Sequence, residues 1–92
     1  MHRDLKPENI LLERDKDFSQ IKVVDFGTAL SFVNKEHFYE QIGTPYYIAP
    51  EVINHDYGKE CDIWSTGVIC YILISGWAPF DGDTTDDIIK SI

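Results

Sequence analysis

His2-Arg3-Asp4-Leu5-Lys6-Pro7-Glu8-Asn9 is the stretch on which the fold turns. It sets a carboxylate, an ammonium two residues on and an amide three further along into a polar run that ends at Ile10-Leu11-Leu12. Asp25-Phe26-Gly27 follows, and then Gly43-Thr44 with Ala49-Pro50-Glu51. A lone triplet of this kind arises by chance, whereas three in this order, the first eight residues long, are a specific signal.

Between the motifs, Ile10–Leu12 and Ile21–Val24 are short, β-branched or apolar runs on either side of the charged Glu13–Asp17 turn, and predict two strands. From Asp25 to Pro50 neither helical nor strand periodicity persists, and Gly27, Gly43, Pro45 and Pro50 interrupt it. A long irregular segment inside a domain is usually functional. Cys61–Ser75 is long enough for a helix and apolar nearly all round, the pattern of a central helix buried on every side. Gly76 suits its C-terminal cap and Pro79 forbids continuation. Asp83 or Thr84 can cap a final helix that has acids in its first turn and begins its apolar face at Ile88-Ile89.

Composition excludes several classes. The 92 residues suffice for one small domain or part of one, and 43% hydrophobic content expects a core. A net charge of −8, with the eight basic residues scattered singly, gives no footprint for nucleic acid or an anionic membrane and suits a basic peptide partner. Ile63–Phe80 carries no formal charge, yet Ser65, Thr66, Gly67, Ser75, Gly76 and Pro79 break it up, so no membrane span is expected. The opening residues are charged at once and predict no signal peptide. Cys61 and Cys70 lack ligand spacing and are expected as two packed, reduced thiols of an intracellular, cytoplasmic protein. The acidic run from Asp81 fails as a calcium loop, because Asp86 stands where glycine is needed and Ile92 where the bidentate glutamate would be.

Taken together, the ordered motifs resemble the eukaryotic-type protein serine/threonine kinase domain, over essentially the whole chain. The resemblance implies a mixed α+β fold, the large (C-terminal) lobe, mostly α-helical with short strands. Residues 1–92 then form one partial kinase domain: catalytic loop, activation segment, central helix and the start of the next. The family's glycine-rich loop, its lysine strand and paired glutamate helix, and its last helices find no match. The resemblance therefore implies a fragment that is inactive in isolation, and a truncated, non-catalytic kinase-like binding module is the competing reading.

By the same resemblance, with phosphoryl-transfer roles as generally described for this family, Asp4 is the catalytic base and Lys6 faces the γ-phosphate. Asn9 and Asp25 hold Mg²⁺ beside ATP, with Leu11, Ile69 and Leu73 supporting the adenine side. Thr44 bridges base and lysine and touches substrate, which together with Lys6 implies Ser/Thr acceptors. His2 and Phe26 resemble the regulatory spine. Asp62 holds the catalytic-loop backbone, Glu51 is a structural acid whose usual arginine partner lies beyond this sequence, and Glu8 fits a basic residue of the substrate. Glu40 stands four residues before Thr44, where relatives carry a phosphorylated threonine, and is expected to give Arg3 a permanent carboxylate.

Gly43–Glu51, Asp62–Ile69 and Ile74–Phe80 are most similar to the calmodulin-dependent and calcium-dependent kinases. The resemblance places any calcium or calmodulin regulation in regions outside this sequence.

Overall fold

A computed structural model describes the backbone of residues 1–92 and the side chains of all but residues 17 and 18. Pro7–Asn9 forms one 3₁₀ turn, with proline at its start where a missing N–H costs nothing, and leads directly into strand β1 (Ile10–Arg14). The chain reverses and β2 (Asp17–Val23) pairs antiparallel, with Ile10 opposite Val23 and Leu12 opposite Ile21. Val24 N–H then donates to the Asn9 carbonyl at 2.9 Å, so the hairpin returns the chain to the segment from which it left. The two expected strands are present with their turn.

From Val24 to Ala49 the backbone is irregular except for a 3₁₀ turn at Pro45–Tyr47 and a bridge pairing Phe38 with Tyr57. Helices follow: α1 (Pro50–Ile53), α2 (Cys61–Ser75) and α3 (Thr85–Ser91). Gly76 ends α2 in the left-handed region at φ 79°, and Thr84 caps α3 by accepting the Asp87 N–H. The fold is thus mixed α+β, with more irregular chain than the mostly helical expectation.

The core gathers Ile48, Ala49, Val52, Tyr57 and Cys61, with Met1, Phe38, Trp64 and Ile92 packed against it. It lies where the irregular segment, α1 and the start of α2 meet. Two expectations need correction. α2 buries Cys61, Ser65, Val68 and Ile69 but leaves Ile63, Leu73 and Ile74 exposed, the last at 88%. Its apolar residues go all round, while neighbours pack on one side. Cys70 is likewise exposed whereas Cys61 is buried. Nine residues make about two and a half helical turns, which puts the two thiols on opposite faces.

No helix among the described residues is long and apolar enough to cross a membrane.

Candidate functional site

The segment carrying Asp4 is held by backbone contacts made far along the chain. Asp62, in the first turn of α2, accepts the His2 N–H at 2.6 Å and the Arg3 N–H at 2.8 Å. Thr28 Oγ1 donates to the His2 carbonyl at 2.9 Å, and the Thr28 carbonyl accepts Arg3 Nε at 2.6 Å. Arg3 itself sits in the left-handed region, φ 72°, a conformation that costs a non-glycine residue about 1–3 kcal/mol and persists where surrounding contacts over-determine it.

His2 is buried and its ring is fixed at both nitrogens. Nδ1 accepts the Asp4 N–H at 3.3 Å and Nε2 faces the Val24 carbonyl at 3.0 Å, which assigns the hydrogen to Nε2. Phe26 meets the His2 ring edge-on at 5.0 Å between centroids.

Asp4, Lys6 and Thr44 close a triangle across 40 residues of sequence. Thr44 Oγ1 donates to Asp4 Oδ1 at 2.6 Å, while Lys6 Nζ donates to Asp4 Oδ2 and to Thr44 Oγ1, each at 3.0 Å. The hydrogen bond to the Asp4 carboxylate is the main cause that raises the Lys6 pKa; burial, next in size, works against it, and the charges of Asp4, Glu8 and Asp25 add to the rise. Gly43 makes the approach of Thr44 possible: it adopts φ 114°, and a Cβ there would meet the Arg3 carbonyl oxygen at 3.0 Å.

Asn9 is buried, and its Nδ2 donates to the Asp4 carbonyl at 3.0 Å, which leaves its Oδ1 on the other side of the amide. Asp25 is exposed, with φ 63°, and its Oδ1 accepts the Gly27 N–H at 3.3 Å. One amide oxygen and one carboxylate are hard donors of the kind Mg²⁺ takes when nucleotide phosphates complete its shell. No group of three or more His, Cys, Asp or Glu side chains able to hold a metal ion occurs among the described residues.

Arg3 also reaches into the irregular segment between β2 and α1. Its Nη1 donates to Glu40 Oε2 at 3.3 Å and to Tyr57 Oη at 3.0 Å. The arginine side chain is 5% exposed and the glutamate 76%, so a nearly enclosed cation meets a solvated anion. Burial opposes the Arg3 charge, but the hydrogen bonds from Arg3 to Tyr57 and Glu40 outweigh it and raise the pKa.

The remaining predicted residues lie further out. Glu8 is exposed, Leu11 is half exposed on β1, and Leu73 is exposed while Ile69 is buried. Glu51 sits in the first turn of α1 and forms no ion pair among the described residues. Sequence reading passed over Thr28, Tyr57 and Ser65. Ser65 had a signal, a hydroxyl inside an apolar run and three residues beyond Asp62. Thr28 and Tyr57 had none, because each works through a contact more than twenty residues distant.

The family profile "Protein kinase domain" matches residues 1–92, the whole chain. The chain belongs to the protein kinase family. Among the relatives of this kinase chain, calcium-dependent protein kinase 5 of Plasmodium berghei (strain Anka) is 51% identical over 92 residues, and calcium-dependent protein kinase 25 of Arabidopsis thaliana is also 51% identical over 92. Calcium-dependent protein kinase 4 of Plasmodium falciparum (isolate 3D7) is 52% identical over 93 residues. All of this chain is covered in each case, against 16%, 18% and 18% of those relatives, so it spans less than a fifth of their length.

Proposed function

We propose that residues 1–92 form part of the large lobe of a protein serine/threonine kinase and carry its phosphoryl-transfer chemistry. The observation that carries this reading is the Asp4–Lys6–Thr44 triangle, with Thr44 Oγ1 donating to Asp4 and accepting from Lys6. Each Asp4 oxygen has one donor and keeps a lone pair, so the carboxylate can accept the proton of an attacking hydroxyl. Lys6 adds a compact cation where charge builds on the transferred group. Bound ATP supplies the phosphoryl group, and Mg²⁺ held by Asn9 and Asp25 supplies further positive charge. Leu11 lies on the adenine side.

A threonine hydrogen-bonded to both base and lysine, as in the Ser/Thr branch that the motifs resemble, supports a Ser or Thr acceptor over a tyrosine. The acidic surface, with Glu8 exposed beside Lys6, favours a basic peptide. Likeness to kinases named as calcium-dependent supports regulation by calcium through sequence outside this stretch. Dependence on ATP and Mg²⁺ and the free thiols fit work in the cytoplasm.

The test is transfer from labelled ATP to otherwise matched Ser, Thr and Tyr peptides by the full-length protein, with Asp4→Asn as the control. Loss of transfer in the variant and preference for Ser or Thr support the reading, and transfer that survives Asp4→Asn overturns it. The 92-residue chain assayed alone is expected to transfer nothing, because Leu11 is half exposed and one face of α2 is uncovered.

A further inference from the structure

We infer that Ser65 is a positioning residue that sets where Thr44 meets Asp4, by holding the carbonyl of Tyr47 against α2. Ser65 is buried, and its Oγ donates to the Tyr47 carbonyl at 2.7 Å, with the Cys61 carbonyl one turn back at 3.2 Å. A hydroxyl has one hydrogen to give, and the shorter contact takes it. A serine inside a helix ordinarily bonds back to the carbonyl four residues earlier. Ser65 instead spends its donor on a different element.

Tyr47 closes the 3₁₀ turn that starts at Pro45, its own N–H donating to the Thr44 carbonyl at 2.9 Å. That turn is pinned at both ends. Thr44 Oγ1 holds one end to Asp4 and Lys6, and the Ser65 hydroxyl holds the other to α2. No other backbone N–H of the described residues donates to the Tyr47 carbonyl, so losing the hydroxyl removes that end's anchor.

Helical spacing couples this contact to the one made by Asp62. Asp62 and Ser65 are three residues apart and share one face of α2. Asp62 holds the backbone just before Asp4, and Ser65 holds the backbone just after Thr44. A single rigid turn of helix therefore fixes both sides of the Asp4–Thr44 contact. The 2.6 Å bond between them is a property of that turn as much as of the two loops. A change at Ser65 acts on the peptide side of the reaction, since the nucleotide-facing Asn9 and Asp25 are held by other contacts.

The kinetic part of this inference rests on the kinase reading above; its structural part does not. In the full-length protein, amide exchange should be compared for residues 43–49 and 1–6 in wild type, Ser65→Ala and Ser65→Thr. Ser65→Ala is expected to speed exchange in 43–49 about fivefold or more, with 1–6 unchanged because Asp62 still holds it, and Ser65→Thr to restore protection. Unchanged exchange in 43–49, or an equal rise in both segments, overturns the inference whether or not the protein transfers phosphate.

In the kinetic arm, Ser65→Ala lowers kcat/KM for peptide about tenfold with KM for ATP within about twofold, and its effect is strongly non-additive with Thr44→Val. Additive losses overturn the role assigned to Ser65. A wild-type protein that transfers nothing overturns the kinase reading and leaves the exchange result to decide the inference.

Discussion

Asp62 and Arg3 lie 59 residues apart, yet the carboxylate of the first accepts the backbone N–H of the second at 2.8 Å, and takes that of His2 alongside. The loop that carries Asp4 is thus held at two consecutive backbone N–H groups by one carboxylate in the first turn of α2.

Asp62→Asn keeps one oxygen acceptor and turns an amide NH₂ toward a backbone N–H. A hydrogen bond to a charged group contributes about 1.5–3 kcal/mol, so the variant is expected to lose about 2–3 kcal/mol. Denaturant midpoints, at unchanged m, measure it. A shift below a few tenths of a kcal/mol would contradict the assignment of Asp62 as the anchor of residues 2 and 3.

Thr44→Val preserves shape and deletes the hydroxyl between Asp4 and Lys6. A misplaced base costs on the order of a hundredfold in rate, and kcat is expected to fall by about that factor. Thr44→Ser, which keeps the hydroxyl, should stay within a few-fold of wild type. Equal activity of the valine and serine variants would dissociate the triangle from catalysis.

Glu40→Gln and Tyr57→Phe separate two partners of one guanidinium. Glu40 is solvated, and exposed pairs contribute about 0–1 kcal/mol, so the glutamine variant should lose at most about fivefold in kcat/KM. The difference should vanish as added salt screens the wild-type pair. Tyr57 is 2% exposed, and its hydroxyl is a buried partner of Arg3. Tyr57→Phe is therefore expected to cost about 1–3 kcal/mol in stability. The reverse ranking in stability would show that Glu40, not Tyr57, holds Arg3 in place, and an unchanged kcat/KM in Glu40→Gln would remove Glu40 from the mechanism.

Burial pushes the Cys61 thiol up to about 11, with the charges of Asp62 and Glu51 adding to it. Its folded pKa lies above the ordinary 9.0, so the folded state holds the proton longer. Stability is full below pH 9 and is lost as pH rises from about 9 to about 11, with a slope of at most about 1.4 kcal/mol per pH unit. Cys61→Ala should flatten that alkaline slope, as read from denaturation at pH 8, 9 and 10. At neutral pH the buried thiol should resist alkylation while the exposed Cys70 reacts.

Much of this was legible in the sequence. The two strands, the Gly76 stop and the Thr84 cap follow from β-branched runs, a left-handed cap and a side-chain acceptor, all local effects. The residues of the motifs were nameable at once, because their chemistry is written in residue type. The exposed side of α2 was not legible, since periodicity reports where apolar residues point and not whether anything covers them. The spacing of Cys61 and Cys70 did encode opposite faces, and an all-round apolar pattern hid it. Thr28 and Tyr57 escaped for a different reason: each matters through an atom brought near by folding, and nothing beside it in sequence marks that partner, whereas Ser65 stands out as a hydroxyl in an apolar run and only its partner, the Tyr47 carbonyl, is unmarked.

The left-handed Arg3, pinned by Asp62 and Thr28, has a thermodynamic consequence for any molecule that reaches Asp4. Its loop is already ordered by contacts within the chain, so an arriving hydroxyl does not have to freeze it. Ordering entropy that would otherwise be charged against binding was lost earlier, during folding. On the kinase reading proposed above, what the contact with Asp4 then yields is free to act on the transition state.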